Sequence, residues 1–206
     1  VKDSDPASSL IDVEGGTATV LGSTFSNNTP DASVIYSIAD VTVQNSTFSG
    51  NAVAGGNGGA IRNDGGSLSV TGSTFSNNSV GGGGLGGAIS NESGGTLDVS
   101  GSTFSTTSAF DGGAIENVGG PAASIAHITH SAFTGNTAAY GAAIETFDNS
   151  GGSEVHADYD TFTSNQSSNI GGAIWGEGGT IETTGSDFAN NTAAGQGGAI
   201  RSERRS

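Results

Sequence analysis

Apolar residues return along this chain in two interleaved rhythms. Over short stretches they alternate with polar ones: Ala18-Thr19-Val20, Val41-Thr42-Val43, Leu68-Ser69-Val70, Leu97-Asp98-Val99, Ala126-His127-Ile128 and Val155-His156-Ala157, with Ile181-Glu182-Thr183 as a weaker copy. Such alternation predicts a strand with one covered face. Each triplet is followed by a phenylalanine in Ser-Thr-Phe-Ser or a near variant: Phe25, Phe48, Phe75, Phe104, Phe133, Phe162 and Phe188. That segment predicts a second short strand with Phe inward. A third segment is Gly-Gly-Ala-Ile or a variant, ending at Ile35, Ile61, Ile89, Ile115, Ile144, Ile174 and Ile200. Its glycines fall where the coil is cramped.

The longer rhythm is the spacing of the phenylalanines, 23 to 29 residues. A unit of that size cannot bury an apolar face alone, so the units must stack. The predicted fold is all-β, a right-handed parallel β-helix (β-solenoid) of about seven coils with three short strands per coil. Handedness follows from the general preference of parallel crossovers. Equivalent residues then lie about 4.8 Å apart. Phe stacks on Phe. Three residues on, Asn28, Asn51, Asn78, Asn136, Asn165 and Asn191, with Thr107 in the same column, predict an internal amide ladder at a bend.

Residues 8–200 read as one domain, with residues 1–7 an N-terminal extension and 201–206 a charged tail. The first coil opens on the third strand, near Leu10-Ile11, and the last closes on it at Ile200. Edges in matching phase are a template for self-association end to end into filaments; the alternative is a monomer, either a fragment of a longer solenoid or one whose residues 1–7 and 201–206 fold over as caps.

Composition narrows the function. Thirty-seven glycines without a three-residue period exclude collagen, and the absence of cysteine excludes disulfides and thiolate metal sites. A net charge of −15 with five basic residues argues against nucleic acid and anionic lipid. No apolar run is long enough for membrane insertion as a helix. The acidic balance suits an extracellular or cell-surface medium.

Candidate chemistry is sparse. The polar column between the alternating apolar residues includes Asp98, His127, His156 and Glu182, imidazoles flanked by carboxylates. That set could hold zinc or another divalent ion, and the acidic surface could take calcium; the alternative is two solvent-facing histidines in a polar column and no cofactor. Following each Ile is a mixed outward column, Asp12, Tyr36, Arg62, Ser90, Glu116, Glu145, Trp175 and Arg201, which reads as a solvated face. Asp158 and Asp160 read as surface charge. Polysaccharide lyases and hydrolases of this shape need clustered acids or a basic catalyst, and sugar clefts need long loops with several aromatics. Turns here are short, so the expectation is no catalytic site and no enzyme.

Five unaltered Gly-Gly-Ala-Ile copies alternating with six of Phe-x-x-Asn resemble the repeat of chlamydial polymorphic membrane proteins and related repeats of microbial surface proteins. The resemblance spans about residues 8–200, with mild departures at Ala32-Ser33-Val34-Ile35, Thr107 and Gly141-Ala142-Ala143-Ile144. It implies a surface-displayed passenger with a structural or adhesive role, meeting a receptor or glycan on a host or neighbouring cell. In the chlamydial family an outer-membrane barrel follows the passenger; no such segment occurs in these 206 residues.

Overall fold

The structure, a computed structural model, describes residues 9–150 and 152–204. The extension at residues 1–7 and the end of the tail, residues 205–206, lie outside the described residues. Within them the chain is all-β and coils into a solenoid of about seven turns. Three sheets run its length. The isoleucine sheet has eight strands, from Ile11–Val13 to Ile200–Glu203; a second sheet of seven runs from Thr17–Leu21 to Thr180–Thr184; a phenylalanine sheet of seven runs from Thr24–Ser26 to Asp187–Ala189. Strands pair in parallel with their equivalents one coil away, as Leu97 with Leu68 and Ala126, and Phe104 with Phe75 and Phe133. The last strand reaches Glu203, so residues 201–203 complete a strand.

A fourth, broken sheet was not anticipated. Ala52–Val53 pairs with Ser79–Val80, and Thr137–Tyr140 with Gln166–Ile170 and Thr192–Ala193, with single bridges through Ser108 joining the two groups. The segment between Phe and Ile is shortest in the first coil, Phe25 to Ile35, and there no strand forms. Phe104 to Ile115 makes only single bridges at Ser108 and Asp111, whereas Phe133 to Ile144, of equal length, carries the strand Thr137–Tyr140.

The core is a column of rings. From Phe25 to Phe188 consecutive centroids lie 4.7 to 4.9 Å apart, with ring planes 3 to 12° from parallel. Phe48, Phe75, Phe104, Phe133 and Phe162 are fully buried, whereas Phe25 and Phe188 in the outer coils are only partly covered. Burial of such a side chain is worth about 1.5–3 kcal/mol, and Ile, Leu and Val columns complete the same core.

Polar groups inside this narrow core satisfy one another. Asn51 Nδ2 donates to Asn78 Oδ1 at 2.9 Å, and the Asn51 amide N donates to the same oxygen at 3.1 Å. Asn51 Nδ2 also reaches the carbonyl of Phe25. Asn136, Asn165 and Asn191 repeat the scheme, and Thr107 joins it by donating Oγ1 to Asn136 Oδ1 at 2.7 Å. A second ladder was missed. Asn63 Nδ2 donates to Asn91 Oδ1 and Asn91 Nδ2 to Asn117 Oδ1, at 2.7 and 2.8 Å. Its sequence signal is Asn two residues after Ile at 61–63, 89–91 and 115–117.

Candidate functional site

Two outward columns carry titratable side chains, and the coil treats them differently. On the second sheet Asp98, His127, His156 and Glu182 come into register on consecutive strands. The imidazoles of His127 and His156 stack at 4.8 Å. His156 Nδ1 lies 3.1 Å from Glu182 Oε2, and Nε2 lies 3.4 Å from Glu154 Oε2, so carboxylates face both ring nitrogens. Among the described residues no three His, Asp or Glu converge closely enough to hold a metal ion. His130 sits apart at φ 51°, stacked on Tyr159 at 5.3 Å.

The column after Ile is not the solvated face expected from its sequence. Ser90, Glu116, Glu145 and Trp175 are buried, with Glu116 and Glu145 each 2% exposed and Trp175 6%. Glu116, Glu145 and Trp175 line a groove of about 610 Å³. The cause is a corner in the backbone. Four residues before each Ile stands another column, in which Leu85, Asp111, Tyr140 and Ile170 are bridged in turn. Between the columns the chain turns at a glycine with left-handed φ, 53° at Gly141 and 68° at Gly171. A Cβ at Gly141 would strike the Ile144 carbonyl, and one at Gly171 would lie 2.6 Å from Trp175 Cβ. Glycine therefore folds one column over the next, and both face one hollow. Val118 and Phe147, paired across coils, line the far side.

Aromatic and acidic groups meet in this hollow. Tyr140 and Trp175 pack with centroids 4.7 Å apart. Glu116 and Glu145 are direct neighbours across coils, flanked by Asp111 on the overhanging column and Glu177 on the far rim. Burial first, then the charges of Glu92 and Asp111, push the Glu116 carboxyl well above its usual range. Burial, Asp111, Glu116 and Glu177 do the same to Glu145. Asp111 is pushed up to about 6 by burial and Glu177. Each acid is desolvated beside others, so the protonated form is favoured. Ser90 Oγ lies 2.7 Å from Glu92 Oε1 and 3.2 Å from Glu116 Oε2. Ser90 Oγ is the donor toward both carboxyl groups, and its bond to Glu116 opposes the upward push on that carboxyl.

Charges are balanced only toward the two ends of this column. Arg62 pairs with Asp64 at 3.5 Å and Glu92 at 3.1 Å; Arg201 pairs with Glu203 at 2.8 Å and bonds Gln196. Between them no ion pair among the described residues reaches Glu116 or Glu145. Glu145 Oε2, Asp111 Oδ1 and Trp175 Nε1 are buried without a hydrogen-bond partner.

Asp160 also departs from its reading as surface charge. It is 1% exposed and takes a serine's place in the column Ser46, Ser73, Ser102 and Ser131. Its Oδ1 accepts the Ser131 amide at 2.7 Å, and burial raises its carboxyl to about 6 against that bond. The signal was present in the sequence, since every other member of that column is a small bend residue.

The sequence of the last coils agrees with the geometry. No curated protein and no solved structure matches the chain. Residues 161–177 and 185–203 match the model of the Chlamydia polymorphic membrane protein repeat, so these coils, with Trp175, Glu177 and Glu203 of the groove among them, carry the repeat that the paired tetrapeptides resemble.

Proposed function

We propose that this chain is an extracellular structural and adhesive element of a microbial cell surface, a stiff rod whose side presents a binding face, and not an enzyme. The observation that carries the reading is the unbroken stack of equivalent strands with the polymorphic membrane protein repeat in its last coils. Both fit a surface protein with a structural or adhesive role. Interior ladders of Phe and Asn stiffen the rod at each coil without using its outer columns, which leaves those columns free to diverge. No helix among the described residues is long and apolar enough to cross a membrane.

Self-stacking is a second reading, favoured by the last coil. Ile181 and Phe188 are partly covered and Ile200 is 37% exposed, whereas Val155, Phe162 and Ile174 one coil inward are fully covered. A further coil, from the same polypeptide or from another copy, would cover them. Electron microscopy of the purified chain separates these: fibres of coil width mean copies stack, and uniform short rods mean they do not.

Immunogold labelling of intact and permeabilised native cells tests the main proposal, together with adhesion of beads coated with the chain. Gold on intact cells and retention of beads on host or neighbouring cells are expected. Gold seen only after permeabilisation would overturn it.

A further inference from the structure

We infer that the groove over Glu116, Glu145 and Trp175 is a binding site for an uncharged glycan. This rests on the adhesive part of the function proposed above and gives it a site and a ligand class. Three buried polar atoms in the groove have no partner: Glu145 Oε2 on a side chain 2% exposed, Trp175 Nε1 on one 6% exposed, and Asp111 Oδ1 on the rim. Buried polar groups without protein partners are costly, and several of them around one hollow call for a partner from outside the chain.

Their chemistry selects among ligands. An indole N–H only donates, so the ligand must offer an acceptor. The carboxyl oxygens of Glu145 and Asp111 need donors or, when protonated, supply them. Sugar hydroxyls donate and accept at once. A metal ion or an alkylammonium would answer the carboxyl oxygens and leave the indole N–H empty, and among the described residues no three acids converge to grip a metal. An acidic glycan would enter a hollow lined by five carboxyl groups on a chain of net charge −15. A peptide adding itself as a strand finds no free edge here. The groove runs across strands whose backbone groups already bond from coil to coil, such as Ile115 N to the Ala143 carbonyl and Ile144 N to that of Ala173.

The walls suit the apolar faces of a sugar ring. Tyr140 and Trp175 form a tilted aromatic pair, with Leu85 and Ile170 on the Tyr140 column and Val118 also lining the groove. A mostly apolar cleft with a few convergent polar groups is the usual form of a small-ligand site. The expectation that short turns could not build such a cleft fails for a simple reason. The hollow needs no loop; it lies between two columns of the coil itself.

The chain's single tryptophan is Trp175, so its emission reports on this groove alone. The test titrates the full chain with neutral cello-, xylo-, manno- and galacto-oligosaccharides, followed by tryptophan fluorescence and by calorimetry. We expect at least one series to change the emission saturably. Glu145→Leu should weaken that binding about tenfold or more, the equivalent of one lost buried hydrogen bond, with Glu145→Gln retaining more of it. His156→Gln on the neighbouring sheet should leave it unchanged. Circular dichroism confirms that each variant is folded, and Tyr140→Ala replaces Glu145→Leu if the latter is not. Three outcomes overturn the inference: no neutral sugar binds; tetramethylammonium, calcium or zinc saturates the signal instead; or the groove variants bind as tightly as the parent. Each of them leaves surface labelling on native cells untouched, so a failed site and a failed surface role are told apart.

Discussion

The imidazole column on the second sheet and the carboxyl column on the isoleucine sheet are built to one plan. Each places like residues on neighbouring coils in parallel register, facing outward. Yet His156 is part-exposed among carboxylate partners, and Glu145 is shut away beside like charges with one oxygen unsatisfied. Nothing in the strands accounts for this. The difference lies in the path before them: ahead of Ile115, Ile144 and Ile174 the chain turns at Gly112, Gly141 and Gly171 and brings Asp111, Tyr140 and Ile170 around the same hollow as the carboxyl column. On a solenoid, a polar column becomes a site when a corner encloses it.

Both columns ride on the same rings, and the largest effect should come from there. Phe133→Ala, with a fully buried ring in the middle of the stack, should cost about 3–5 kcal/mol in urea unfolding, because the neighbouring coils cannot close the cavity. A loss under about 1 kcal/mol would mean the stack is not what supports the two faces.

Next comes the corner. Gly141→Ala imposes a left-handed φ on a residue with a Cβ, about 1–2 kcal/mol, and drives that Cβ into the Ile144 carbonyl. It should destabilise the chain by about 2 kcal/mol or more and alter Trp175 emission. A corresponding change beside the other column, Gly101→Ala, also has positive φ but meets nothing within 4 Å, so it should cost less and leave the emission alone.

The pH dependence of stability separates the columns more finely. Groove acids bind protons more tightly folded than unfolded, so the native state holds more protons and stability falls as pH rises. For Asp111 the fall runs from about 3.8 through about 6, and Glu116 and Glu145 extend it to higher pH. Charged neighbours acting on these acids are Glu92, Glu177 and Arg62. Asp160, raised to about 6 in another part of the core, adds to the same window. Urea midpoints measured across pH should therefore decline through this range. Glu145→Gln should flatten the upper part and gain about 1 kcal/mol over the parent above about pH 7. An unchanged slope would show that the hollow is wet and its acids ordinary.

Smallest is the exposed pair. Glu182→Ala should cost less than about 1 kcal/mol, since an exposed carboxylate–imidazole contact gains little over its hydration. With carboxylates already facing both nitrogens of His156, the His127→Ala, His156→Ala double variant should bind zinc no more weakly than the parent. Weaker binding would make the imidazole column a metal site and put it level with the groove.

Sequence alone determined the coil. Phe and Ile repeat because a ladder needs the same side chain at every rung, and a repeated need leaves a repeated letter. The Asn63, Asn91, Asn117 ladder was equally legible in principle; it was overlooked because only its spacing from Ile marks it. Tertiary structure decided which outward column is covered. Apart from the adjacent pair Glu116 and Glu145 this column, with Ser90 and Trp175, keeps no one side chain along its length, and its burial depends on residues earlier in the coil that approach only once it turns at Gly112, Gly141 and Gly171. Strand periodicity tells inward from outward, but enclosure is a property of the path between strands.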